Sequence, residues 1–243
     1  MAKKKKKESL KKPQFVSNFD PIGPFNAFVR FLAPNPVTSF NPVSRQPKIN
    51  NTAFISPFVS VIGDVTIEDN VFVAPMATLR ADEGFPFFIG RNTNIQDGVI
   101  LHGLRDQRFK VNGKKFSIFI GEGVTVAHGA IVHGPVVIKD DVFIGFKSIV
   151  FNAIVGKGSF ISSDAVVTNG VRIAPNRFVP PGATIDTQKK ADALRPVPAD
   201  REEFAREVQE VNREFPAAYS LEFGDVRCSC GLACDNIKNK NKK

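Results

Sequence analysis

His102, His128 and His133 are the only histidines of a 243-residue chain, and they stand at the spacing His-x25-His-x4-His. An imidazole supply confined to one short stretch fits a metal site better than scattered core residues. Three imidazoles on Zn2+ leave one tetrahedral position open, the arrangement of a catalytic rather than a structural site. The rest of the sequence must then supply a framework that brings the three side chains together.

That framework shows as a six-residue period. An aliphatic residue returns at Ile55, Val61, Ile67, Val73 and Leu79, then, after a short insertion, at Ile89, Ile95 and Leu101. A longer insertion, Gly103–Phe119, precedes Ile120, Val126, Val132, Ile138, Ile144 and Val150. A one-residue contraction then shifts the frame to Val155, Ile161, Val167, Ile173 and Val179. Small or β-branched residues recur four positions later, as at Val59, Val65, Ala77, Val124 and Ala130. Neither a heptad nor a 3.6-residue period generates this pattern; short strands joined by tight corners do. Three hexapeptides per coil give an all-β fold, a left-handed parallel β-helix.

Counting units from Ile55, Leu101 opens the eighth, Val126 the tenth and Val132 the eleventh. Units eight and eleven share a face in adjacent coils, so His102 and His133 are stacked about 4.8 Å apart in the pairing direction, close enough to converge on one ion. His128 follows Val126 by two positions and belongs to another face, out of reach within one subunit. A neighbouring copy packed face to face supplies it, and closure around a threefold axis makes a homotrimer with three shared sites. Arg80 falls one coil below His102, and Asp97 one coil below His128. The two form an Arg–carboxylate pair across the same interface.

The ends read differently. Residues 1–12 carry seven Lys and one Glu, and residues 228–243 four Lys and one Asp. The formal charge of +9 is therefore confined to the termini, and no specific nucleic-acid site is expected in the body. No apolar run reaches the 18 or so residues of a membrane span, and no secretory signal opens the chain, which makes cytoplasmic location the expectation. Cysteine occurs only at Cys228, Cys230 and Cys234, so the body does not depend on disulfides. The expected divisions are a disordered basic tail over 1–12, an extended segment over 13–50, the β-helix over 51–186, a helical segment over 187–220 and a tail over 221–243. Within the helical segment, a short helix near Lys189–Leu194 precedes one over Asp200–Phe215. Phe204, Val208, Val211 and Phe215 share a face of the latter, and Asp200 and Glu203 are spaced as a capping box. This α-helix packs along the outside of the solenoid.

Four motifs together resemble the gamma-class carbonic anhydrases over roughly residues 35 to 219: Asn35–Pro42 (NPVTSFNP), Arg80–Gly84 (RADEG), Asn94–Gly98 (NIQDG) leading into His102, and Ala127–Gly134 (AHGAIVHG). The resemblance implies a homotrimer that binds Zn2+, or Fe2+ or Co2+, through His102 and His133 of one chain and His128 of the next, and hydrates CO2 to bicarbonate. Arg80 and Asp97 match the intersubunit pair. Gln96 matches the residue that hydrogen-bonds the zinc-bound hydroxide, and Glu83 a carboxylate that helps move protons. Asp82 and Asn94 match supporting polar residues, and Asn212 an asparagine bordering the substrate pocket. Two departures stand out. Arg105 occupies the place of a proton-shuttle glutamate, in a basic loop that aligns this chain with the subgroup lacking the acidic loop, and Glu210 holds the place of a pocket tyrosine. The expected activity is that of a carbonic anhydrase (a lyase). The alternatives are a catalytically weak scaffold or assembly subunit, and a hexapeptide acyltransferase.

Overall fold

The structure, a computed structural model, describes residues 30–223; the basic segment 1–12 and the three cysteines lie outside the described residues. Three parallel ladders wind around one core. The first face runs Phe31–Ala33, Ser60–Gly63, Thr78–Ala81, Ile100–Gly103, the first half of Ile131–Ile138, the first half of Ile149–Val155, Val166–Val167 and Thr184–Ile185. On the second are Lys48–Ile49, Val65–Ile67, Phe87–Ile89, Ile118–Ile120, the second halves of the two long strands, and Arg172–Ile173. The third climbs from Phe54–Ile55 through Asn94–Ile95, Thr125–Val126 and Phe143–Ile144 to Arg177–Val179. This is the left-handed parallel β-helix that the period predicts.

Every aliphatic residue of the six-residue series is buried, as are Val59, Val65, Ala77, Val124 and Ala130 four positions after it. Each buried Val, Leu or Ile contributes about 1.5–3 kcal/mol on leaving water, and repetition around three faces makes one continuous core. The one-residue contraction is absorbed as a bulge, between His133 and Val136 on one strand and Phe151 and Ala153 on the next. The insertion after Gly103 folds into a hairpin, Phe109–Val111 against Lys114–Phe116. Strand pairing begins ahead of the repeat, because Phe31–Ala33 and Lys48–Ile49 already join the first two faces.

The short helix α1 is Gln188–Asp192, capped by the Thr187 side chain. Helix α2 spans Ala199–Phe223 and lies along the third face. Phe204 meets Phe143 at 5.5 Å and Phe215 meets Phe72 at 5.2 Å, measured between ring centroids. Two expectations are corrected. Val211 is 55% exposed rather than packed inward. Asp200 lies inside the first turn, where the N–H groups of Arg201 and Glu202 both donate to the Pro198 carbonyl, so the capping box does not form. The helix continues past Phe215 through Pro216. Proline withholds one N–H from the turn before it, and the nearby Arg213 carbonyl accepts from Asn70 of the solenoid at 3.2 Å. No described helix is long and apolar enough to cross a membrane.

Candidate metal centre

On the first face, Leu79, Leu101 and Val132 point inward in register, so Arg80, His102 and His133, each one residue later, stack on the outside. The Nδ1 of His102 faces the Nε2 of His133 at 3.2 Å. Two Zn–N bonds of about 2.0–2.1 Å at a tetrahedral angle put their nitrogens about 3.3 Å apart, so this pair fits the edge of such a site. The remaining ring nitrogens have their own partners. His133 Nδ1 donates to the Gly134 carbonyl at 3.2 Å. His102 Nε2 lies 3.4 Å from Asp82 Oδ1, 3.7 Å from Glu83 Oε2 and 3.2 Å from an Arg80 guanidinium nitrogen. Burial, then the Arg80 guanidinium and His133, holds the His102 pKa below the ordinary imidazole value of 6.5, against the pull of Asp82 and Glu83. A neutral imidazole is the form that binds a cation.

The strands can turn so close to these histidines because glycine follows each. A Cβ on Gly103 would stand 2.2 Å from Ser117 Oγ, and one on Gly134 2.5 Å from the Ser117 carbonyl oxygen. Ser117 is fully buried at this corner.

His128 sits elsewhere. It follows Thr125–Val126 on the third face and turns the corner above Asp97, whose Oδ2 accepts from His128 Nδ1 at 2.8 Å. That bond assigns the proton to Nδ1 and leaves the lone pair on Nε2, the arrangement by which a carboxylate orients a metal-binding histidine. The ring stacks on Phe146 at 5.6 Å and stays 56% exposed. Beside it, Gln96, Asn212, Phe146 and Val211 line a cavity of about 320 Å³. Gln96 Nε2 donates to Asn94 Oδ1 at 3.0 Å, while its Oε1 is buried with no hydrogen-bond partner among the described residues. Asn212 Nδ2 donates to the Val208 carbonyl of its own helix at 2.8 Å.

One chain thus carries two separate groups of these residues. Arg80, Asp82, Glu83, His102 and His133 share the first face, whereas Asn94, Gln96, Asp97, His128 and Asn212 gather at the corner below α2. Among the described residues of one chain, no three His, Cys, Asp or Glu side chains form a group able to hold a metal ion. Arg80 and Asp97 do not meet within the chain: Arg80 pairs with Asp82 at 3.1 Å and Asp97 with His128. Arg105 gives its backbone N–H to Glu83 Oε1 at 3.2 Å. Sequence reasoning missed Ser117, Thr125 and Gln209. Ser117 was findable only through the paired His-Gly steps that close around it. Thr125 precedes Val126 as Asn94 precedes Ile95, so the period stacks the two, whereas Gln209 is an ordinary helix residue with no spacing signal.

No family model matches the chain. It is 42% identical over 176 residues to a carbonic anhydrase of Methanosarcina thermophila, covering 68% of this chain and 71% of that one. It is 41% identical over 205 residues to the carboxysome assembly protein CcmM of Nostoc sp., covering 84% of this chain. The match spans only 37% of that longer relative. In fold alone it is similar to a hexapeptide transferase family protein from Anaplasma phagocytophilum, with a TM-score of 0.61 at 24% identity over 78% of this chain and 98% of that one.

Proposed function

The chain belongs to the gamma-class carbonic anhydrase family, and on that footing we propose that it reversibly hydrates CO2 to bicarbonate and a proton at metal sites shared between copies of a homotrimer. One observation carries the reading: a single chain splits the ligand set. Two imidazole nitrogens converge at 3.2 Å on one face, and the third imidazole projects from another corner beside a free carboxamide oxygen. A second copy whose corner meets the first face completes the set, and threefold closure repeats it three times. Apolar side chains flank both halves: Ile100 and Ile149, aligned through Ile131, on the first face, and Phe146 at the corner, each 37–42% exposed. Homo-oligomers bury surfaces of this kind.

Zn2+, or Fe2+ or Co2+, bound there lowers the pKa of water toward neutrality, an effect for which carbonic anhydrase is itself the standard example and not a value deduced from this chain. The chain's own residues do the rest. Asp97 holds His128 in the Nδ1–H form, and Gly134 does the same for His133. Gln96 Oε1 accepts the hydrogen of the nucleophilic oxygen, so that its lone pair is aimed at CO2. Phe146 and Val211 give the cavity the apolar wall that suits CO2. Glu83, with Oε1 fixed by Arg105 and Oε2 toward His102, takes the proton released at each turnover out to buffer.

A second reading has a specific observation behind it. The carboxysome assembly relative, together with Arg105 at the place of a shuttle glutamate, favours a scaffold whose metal holds the trimer together and turns over slowly. Stopped-flow CO2 hydration by anaerobically prepared protein of known metal content, with and without imidazole buffer, separates the two. Metal-dependent hydration establishes the enzyme, and rescue by imidazole locates its weakness in proton export. No hydration at full metal occupancy leaves the scaffold.

A further inference from the structure

Gln96 ends a run of side-chain hydrogen bonds that begins on α2. The Gln209 nitrogen lies 2.7 Å from the Gly123 carbonyl oxygen and 2.9 Å from Thr125 Oγ1. A carbonyl only accepts, so that end of Gln209 is its NH2 group, and one of its hydrogens goes to each partner. Thr125 Oγ1 also receives Asn94 Nδ2 at 2.9 Å. Asn94 Oδ1 then takes Gln96 Nε2 at 3.0 Å, which leaves Gln96 Oε1 as the buried, unpaired end of a carboxamide that lines the cavity. Asn94 and Thr125 are each 1% exposed and Gln96 7%, so water does not compete for these bonds and their polarity is strongly held.

We propose that Thr125 and Gln209 are positioning residues that fix which end of the Gln96 carboxamide enters the cavity. Two donors occupy both lone pairs of the Thr125 hydroxyl, which keeps the Asn94 amide, and through it the Gln96 amide, in one orientation. With Gln209 gone, the Thr125 O–H turns to donate to Asn94, and both amides flip together. Gln96 then presents N–H, which binds the lone pair that must attack CO2. The chemistry of this inference rests on the CO2-hydration reading; its geometry does not.

The test compares Thr125→Val, Thr125→Ser and Gln209→Met with wild type as Co2+-loaded protein. Visible-absorption titrations give dissociation constants for bicarbonate, which can donate a hydrogen, and for azide, which cannot. Wild type favours bicarbonate. In Thr125→Val and Gln209→Met the azide-to-bicarbonate ratio of dissociation constants falls, and CO2 hydration drops about tenfold at unchanged metal content, the usual scale for losing an outer-sphere partner. Thr125→Ser restores both. Full metal binding with the wild-type ratio kept in Thr125→Val and Gln209→Met would overturn the proposal. Should Thr125→Val fail to fold, Gln209→Met, on the outer helix, decides alone. A wild type that hydrates no CO2 defeats the functional reading only, because the anion ratio still reports the carboxamide.

Discussion

His102 Nδ1 and His133 Nε2 face each other across 3.2 Å, one coil apart on the same face. That edge is set by strand register alone and exists in a single chain, yet two imidazoles make a poor site for a divalent ion, which is held by at least three protein ligands in catalytic centres. His128→Ala should therefore lose its metal although His102 and His133 are intact, with metal analysis of the purified variant as the measurement.

Arg80 and Asp97 each have a partner inside the chain, Asp82 and His128, but they lie in the two columns proposed to meet between copies. Arg80→Asp should weaken the proposed trimer by about 2–5 kcal/mol, the range for unpairing a charge at an interface. Adding Asp97→Arg should recover much of it. Sedimentation of the three proteins over a dilution series gives the comparison, and equal weakening by the double variant would count against the pairing.

The glycines beside the histidines make a sharper structural prediction. Gly103→Ala places its Cβ against the Ser117 hydroxyl, whereas Gly134→Ala meets the Ser117 backbone oxygen. Each should destabilise by about 1–3 kcal/mol, as overpacking does. Ser117→Ala should relieve the first and leave the second, as read from chemical unfolding of the two double variants.

His102 has a pKa below 6.5 because burial, Arg80 and His133 outweigh Asp82 and Glu83. In metal-free protein the unfolded chain therefore takes up this proton more readily than the folded one. The contribution of His102 to stability is complete above pH 6.5 and is lost as the pH falls through 6.5 toward the folded pKa. An NMR titration of the His102 ring should give a midpoint under 6.5, and Arg80→Met should raise it.

Much of this was legible in the residues. A period of six with small residues at the fourth place fixes which side chains enter the core, and a period of eighteen per coil fixes which outward residues stack, so the Arg80–His102–His133 column follows from counting. The limits are physical too. Phe31–Ala33 and Lys48–Ile49 add to the sheet through backbone bonds and carry no repeat. Val211 keeps helical spacing with the inward residues yet stays exposed, because that part of α2 spans the cavity beside His128 rather than packed sheet. The Asn94–Thr125 contact, 31 positions apart, follows from the same counting, but Gln209, 84 positions beyond Thr125 on the helix, has nothing in its type that marks it as their neighbour.

Subunit complementation tests the central claim most directly. His128→Ala chains and His133→Ala chains, each inactive alone, are co-expressed, and the mixed trimers are assayed for metal content and CO2 hydration. Sites shared between copies predict that an intact first face meets an intact His128 in a fraction of interfaces, restoring both metal and activity. Mixed trimers with neither, or His128→Ala chains that keep full metal by themselves, would contradict the account.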